Sequence, residues 1–171
     1  YNAGRLHGDW LDAAVTDEDL RGFYKDMVLV RRVDAEGNAL QRQGQLALWV
    51  PSRGQDAAQV GSALAYAPND YIFPSYREHA VALTRGVDFR DLITIFCGAT
   101  THGWDMKAHN FHTYTKVLAA QTLHATGYAM GLQLDGMVGN PEDDRNAAVL
   151  AFHGDGASSQ GDIRVMRPVM T

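Results

Sequence analysis

One cysteine, Cys97, is all the thiol chemistry that these 171 residues carry. A single thiol excludes an internal disulfide framework and suits a reducing, cytoplasmic compartment. No apolar run approaches the ~20 residues needed to span a bilayer, and no signal-peptide pattern is present. Positive charge is in deficit: 15 Lys and Arg face 20 Asp and Glu, a net charge of −5. That balance gives no electrostatic footing for nucleic acid or for an anionic membrane. Two catalytic signatures are missing as well. There is no Gly-x-Ser-x-Gly elbow and no Gly-x-Gly-x-x-Gly opening a helix after a strand, so a serine hydrolase or an ordinary dinucleotide enzyme has no support. The histidines match no common zinc spacing, and neither a second cysteine nor a His-Glu-x-x-His helix accompanies them. Internal repeats and low-complexity segments are also lacking.

What is present suits one α/β domain with a proper core. Residues 1–15 form an irregular arm. Thr16 followed by Asp17-Glu18-Asp19 is a capped helix start, and Leu20, Phe23, Tyr24, Met27 and Val30 recur at helical spacing. The pattern predicts a helix from Asp17 to Gln43, ended by Gly44, with Arg31, Arg32, Asp34 and Glu36 largely on its polar side. A second, Ala-rich helix is expected from Gln55 to Ala67, stopped before Pro68. Tyr71-Ile72-Phe73 reads as a short strand ending at Pro74. Helices are expected at Glu78–Thr84, Phe89–Phe96 and Thr115–Leu134, and a loop over Gly98–Tyr114, which has few apolar residues and three histidines.

Ala147–Asp162 carries the strongest functional signal. Six mostly apolar residues, Ala147–Phe152, predict a short buried strand that runs through His153 into Gly154-Asp155-Gly156. Folds of this class bind phosphorylated ligands beyond the ends of such strands. Glycines on both sides of Asp155 remove the Cβ atoms that would hold a diphosphate off the backbone, and a carboxylate is a hard ligand suited to Mg²⁺. Taken alone the triplet is also an ordinary turn with an exposed acid. Tyr76-Arg77 adds what a diphosphate needs beside a metal, a planar cationic fork and a phenol donor. Glu78 is expected to hold Arg77 or another charge. Among His102, His109 and His112, near-neutral titration suits a histidine poised over an active site as well as an ordinary surface loop. His124 and His153 sit among apolar neighbours and are expected in or near the core.

Four stretches, SRGQDAAQVGSALA, PSYREHAVALTRG, VLAAQTLHATGYAMG and FHGDGASSQGD, stand in an order and spacing that resemble the α subunit of thiamine diphosphate-dependent 2-oxo acid dehydrogenases, most closely the branched-chain bacterial type. The resemblance runs from about Thr16 to Asp162. It implies a thiamine diphosphate-binding α/β fold, a parallel sheet flanked by helices of which only the N-terminal portion is present. It further implies that Tyr76 and Arg77 hold the diphosphate, that Asp155 ligates Mg²⁺, and that Gly154, Gly156 and Ala157 line the pocket by backbone. The aminopyrimidine would meet the main chain near Leu118, and His109 would face the substrate as the catalytic histidine. A potassium ion is a further implied cofactor, with Thr115 and Gln121 matching its site and Ala120 departing from it. The implied partners are a β subunit in an α2β2 heterotetramer and a lipoyl-bearing acyltransferase core. The implied reaction is oxidative decarboxylation of a branched-chain 2-oxo acid with acyl transfer to lipoyl. Pyruvate or acetoin dehydrogenase α subunits are the alternatives, as is an inactive fragment. After Asp162 the residues leave the family pattern. Ile163–Thr171, a poor helix and a poor strand around Pro168, is expected to be a truncated or frameshifted tail following the 16–162 domain portion.

Overall fold

The computed structural model of the chain describes residues 15–139 and 145–166, so most of the 1–15 arm and the end of the 163–171 tail lie outside the described residues. Seven α-helices, two strands and one 3-10 turn are described. Helix α1 (Asp17–Arg42) starts as its residues dictate. The Thr16 hydroxyl accepts from the Asp19 amide at 3.2 Å, and the Asp19 carboxylate accepts from the Thr16 amide at 2.8 Å, a reciprocal capping box. Helix α2 (Asp56–Leu64) packs against α1 and against α3 (His79–Thr84).

Asp34 departs from the expected polar face of α1. It is buried, and its Oδ1 accepts from Trp49 Nε1 at 2.9 Å and from the Ser52 amide at 3.1 Å. One turn further along, a Cβ on Gly37 would lie 2.2 Å from the Trp49 ring, so only glycine lets the indole press on the helix. The buried carboxylate and the missing side chain together seat Trp49, which belongs to the main apolar core with Ile72, Leu92, Phe96 and Phe111.

Strands β1 (Tyr71–Phe73) and β2 (Val149–Ala151) pair in parallel, with Phe73 opposite Ala151. The strand expected over 147–152 is shorter and half-buried rather than fully buried. Helix α4 (Phe89–Phe96) is capped by Asp88, whose side chain accepts from the Arg90 amide. The predicted loop 98–114 is more structured than expected. It contains α5 (Met106–His109), capped by Asp105, and is anchored by three buried aromatics, Trp104, Phe111 and Tyr114. Trp104 Nε1 donates to Phe111 O at 2.9 Å, and Phe111 bridges to Ile72 along the free side of β1. Few apolar residues sufficed because those few are large.

Helix α6 (Ala120–Leu134) begins five residues later than predicted, after Ala119, whose left-handed φ of 70° breaks any longer helix. Helix α7 (Gly161–Met166) corrects the reading of the tail as a poor helix over residues 163–166. Ile163 is buried with Ala119 and Ala157, so apolar packing outweighs the weak local propensity. No described helix is long and apolar enough to cross a membrane.

Candidate functional site

Both strands of a parallel pair end on the same side, and here each end releases one of the two motifs. After Phe73 the chain turns through Pro74 into Ser75-Tyr76-Arg77-Glu78, and after Ala151 it turns through Phe152 and His153 into Gly154. The Phe152 amide donates to Phe73 O at 2.9 Å, holding the two exits side by side. The two exits face one cavity of about 320 Å³. Its walls include Gln55 and Gln59 from α2, Ser75, Tyr76, Arg77 and Glu78 from the first exit, and Phe152, His153 and Gly154 from the second.

The Tyr76–Glu78 turn is held from several sides. Glu78 is buried and does not pair with the Arg77 guanidinium as expected. Its carboxylate instead accepts from the Ser75 amide at 2.7 Å, from the Ser75 hydroxyl at 2.9 Å and from the Arg77 amide at 3.3 Å. The Arg77 guanidinium donates to Pro51 O and stands 5.9 Å from the Tyr76 ring centroid. Ion pairs such as Arg31–Asp56 and Arg32–Glu36 leave Arg77 out, so among the described residues Arg77 brings to the cavity a cation that no carboxylate pairs with.

Behind the turn lies His79, fully buried and stacked on Trp49 at 4.5 Å. A carbonyl can only accept, so His79 Nε2 donates to Val50 O at 2.8 Å, leaving Nδ1 to accept from Tyr114 Oη at 2.9 Å. Burial pushes this imidazole down to about 4, and the Arg77 charge adds to the effect, against the opposing pull of Val50 O and Asp34. Burial raises the Tyr114 phenol well above its ordinary value, helped by the Glu78 charge. Both therefore act as neutral hydrogen-bonding groups near pH 7.

The second wall is simpler. Gly154, Asp155 and Gly156 are exposed, and a Cβ on either glycine would meet nothing within 4 Å. Asp155 opens the 3-10 turn Asp155–Ser159. Ala157 is buried beside Ala119 and Ile163, and its amide donates to Gly154 O at 3.1 Å, so it braces the turn from behind. Among the described residues no group of three His, Cys, Asp or Glu could hold a metal by itself. A lone exposed carboxylate still fits a Mg²⁺ that takes its remaining ligands from phosphate and water.

The segment from Thr115 to Gln121 crosses both strand ends. The Thr115 amide donates to Ser75 O at 2.7 Å, and Gln121 Nε2 donates to Phe152 O at 2.7 Å. Gln121 Oε1 is buried with no hydrogen-bond partner among the described residues. Leu118, between them, is half exposed and does not line the cavity.

Of the residues singled out in the sequence, Tyr76, Arg77 and Gly154 share one cavity, with Asp155 next along the chain. His109 is elsewhere. Its Nδ1 bonds to Arg85 O at 2.9 Å, and it lines a different cavity with Tyr66, Thr84, Arg85 and Asn110. His112 packs on the Phe73 ring at 4.7 Å and faces His124 at 6.1 Å; burial, then that neighbour, lowers its pKa. His124 and His153 are exposed, contrary to expectation. His153 escapes the core because β2 has already ended, and it turns up in the cavity wall. Sequence reasoning missed Gln55, Gln59 and His79. The signal for the first two was a pair of amides at i, i+4 in an otherwise Ala-rich helix.

Comparison with known proteins follows the same line. A family model described as the dehydrogenase E1 component matches residues 24–165. The chain is 40% identical over 159 residues to 3-methyl-2-oxobutanoate dehydrogenase subunit alpha of Mycobacterium tuberculosis (strain H37Rv), covering 93% of this chain and 40% of that protein. It is 31% identical over 157 residues to the mitochondrial 2-oxoisovalerate dehydrogenase subunit alpha 2 of Arabidopsis thaliana, covering 86% and 32%. It is also 31% identical over 159 residues to the pyruvate dehydrogenase E1 component subunit alpha of Staphylococcus aureus (strain MW2), covering 93% and 41%. The chain thus spans 32–41% of the length of these relatives.

Proposed function

Because the chain belongs to the dehydrogenase E1 component family, we propose that it carries the diphosphate-binding part of the α subunit of a thiamine diphosphate-dependent 2-oxo acid dehydrogenase. The observation supporting this most is the meeting of Tyr76-Arg77 and Gly154 at the carboxyl ends of two paired parallel strands, where open α/β sheets bind phosphorylated ligands. On this reading the full fold is of the thiamine diphosphate-binding type.

The Arg77 guanidinium offers parallel N–H donors to phosphate oxygens, and the Tyr76 hydroxyl offers one more. The open space over Gly154 and Gly156 lets a diphosphate come down on the backbone. Asp155 supplies the protein's carboxylate to Mg²⁺. Main chain near Leu118, outside the cavity lining itself, would meet the aminopyrimidine, and Gln121 Oε1, with no partner among the described residues, would offer a buried oxygen to a potassium ion. When bound, thiamine diphosphate supplies the carbanion chemistry that removes CO₂ from a 2-oxo acid. His79, Glu78 and Gln59 fix the turn that presents Arg77; none of them faces the cofactor as an acid or base in this scheme. No role in this cavity is proposed for His109.

The substrate we favour is a branched-chain 2-oxo acid, since identity is 40% to the 3-methyl-2-oxobutanoate dehydrogenase subunit and 31% to the pyruvate dehydrogenase subunit. A β subunit completing an α2β2 enzyme, a lipoyl-bearing acyltransferase and a cytoplasmic setting belong to the same proposal. Calorimetric titration of the chain with Mg²⁺ present tests the core of it. Thiamine diphosphate and pyrophosphate should bind and thiamine should not, because the groups assembled here read the diphosphate. Equal binding of thiamine, or none of pyrophosphate, would refute the assignment.

A further inference from the structure

We infer that Gln59 is a positioning residue that sets the direction of the Arg77 guanidinium, an inference that rests on the diphosphate reading of this cavity. Gln59 lies in α2, whose other contacts are largely small and apolar, and it is only 3% exposed. Burying a primary amide is unfavourable unless its polar groups are satisfied. Here they are. Nε2 donates to Arg77 O at 3.1 Å and to Gln55 Oε1 at 3.1 Å, and Oε1 accepts from the Ala80 amide at 3.2 Å. The chemistry fixes which end is which, since Arg77 O can only accept and Ala80 N–H can only donate.

Those two backbone groups flank Glu78 and His79, at the junction between the Tyr76-Arg77 turn and α3. Ala80 N–H is one of the first-turn donors that a helix cannot satisfy internally. One side chain from α2 therefore clips the turn on both sides of its bend. The other bonds holding it lie within the turn or at its opposite end: the Ser75 and Arg77 amides donate to the Glu78 carboxylate, the His79 amide donates to Arg77 O at 2.8 Å, and the Thr115 amide donates to Ser75 O. Without Gln59 the Arg77 peptide keeps its bonds within the turn but loses its tie to α2, so the turn shifts as a unit and the guanidinium, which donates to Pro51 O, loses its aim while the cavity walls stay in place. Gln55, the helix-capping position, lines the same cavity and holds the amide from its other side.

The test is magnesium pyrophosphate binding to the chain by calorimetry, at pH 8 and pH 5.5, with melting temperature recorded for each protein. Gln59→Leu keeps the volume and removes all three bonds, and should weaken binding about tenfold. Gln59→Glu supplies the discriminating readout. Ionised, it turns a bare oxygen toward Arg77 O and Gln55 Oε1; protonated, it recovers one donor while keeping the acceptor for Ala80. Burial raises such a carboxyl's pKa, so its affinity relative to the parent should be low at pH 8 and recover at pH 5.5. Arg77, Glu78 and His153 line the cavity, His79 lies behind the turn, and the Arg31–Asp56 pair sits beside α2. All are common to the parent and variants, so their titration, like that of pyrophosphate, cancels in the ratio. A Gln59→Glu ratio that does not change with pH would overturn the inference, whatever happens to the melting temperature. If Gln59→Leu fails to fold, the Gln59→Glu ratio decides alone. Arg77→Ala separates the two levels. If it binds like the parent, the cavity reading itself fails; if it weakens binding while Gln59→Glu tracks the parent, only the positioning role is lost.

Discussion

Arg77, in the cavity wall, and Asp155, next along the chain from the wall residue Gly154, stand on differently built ground. The turn that carries Arg77 is tied to α2 by Gln59, to its own backbone by Glu78, and to the core by His79, which is wedged between Trp49, Tyr114 and Val50. The turn that carries Asp155 is exposed, and behind it stands the small cluster of Ala119, Ala157 and Ile163. The cationic wall is thus pre-organised, with its ordering cost already met by folding. The anionic wall leaves its glycines and carboxylate open toward solvent, where metal and phosphate can complete them. A mutation behind Arg77 should register in stability as well as in binding, and one around Asp155 in binding alone.

The sharpest break in that comparison comes from pH. His79 is neutral when folded, with its pKa lowered from 6.5 to about 4. The unfolded chain binds a proton there below pH 6.5 and the folded one does not until about 4, so this stability is present at neutral pH and is lost as pH falls through that window. The loss should reach about 3 kcal/mol at pH 4. Urea unfolding across pH 7 to 4 measures it, with His79→Asn as the reference that lacks the titrating ring. Parallel curves for the two proteins would remove His79 from the account of the cationic wall.

Gly37→Ala should come next. The new Cβ would collide with an indole pinned by Asp34 and His79, and overpacking of this kind costs roughly 1–3 kcal/mol. Thermal or chemical unfolding would show it, and an unchanged midpoint would mean that Trp49 can shift freely. The smallest stability effect is expected on the opposite wall. A Cβ at Gly156 meets nothing, so Gly156→Val should change stability by no more than about 0.5 kcal/mol while weakening pyrophosphate binding. A large loss of stability there would mean that the open wall is more tightly built than described.

Much of the built wall was legible in the sequence only as secondary structure. The capping box at Thr16, the strand at Tyr71–Phe73 and helix α4 follow from local residue chemistry, and the structure has them. The burial of Asp34 was not legible, because its partner Trp49 lies fifteen residues away and nothing local announces a contact that needs Gly37 to exist. His79 was passed over for the same reason: its partners Val50 and Tyr114 are both distant in sequence. Composition marked the loop as histidine-rich and the family resemblance chose His109 within it, whereas its place is decided by α5 and a bond to Arg85. The meeting of Tyr76-Arg77 with Gly154 was expected from family resemblance, and the geometry for it is the register of β1 on β2, which no single segment encodes.

The central claim, that these two walls grip one magnesium-bound diphosphate, is tested most directly by titrating pyrophosphate into the parent, Arg77→Ala and Asp155→Ala chains, each with and without Mg²⁺. Arg77→Ala should weaken binding under both conditions, by an amount corresponding to the roughly 1.5–3 kcal/mol of a hydrogen bond to a charged group. Asp155→Ala should match the parent without Mg²⁺ and lose the gain that Mg²⁺ gives. Identical magnesium responses in the parent and Asp155→Ala, or undiminished binding by Arg77→Ala, would contradict it.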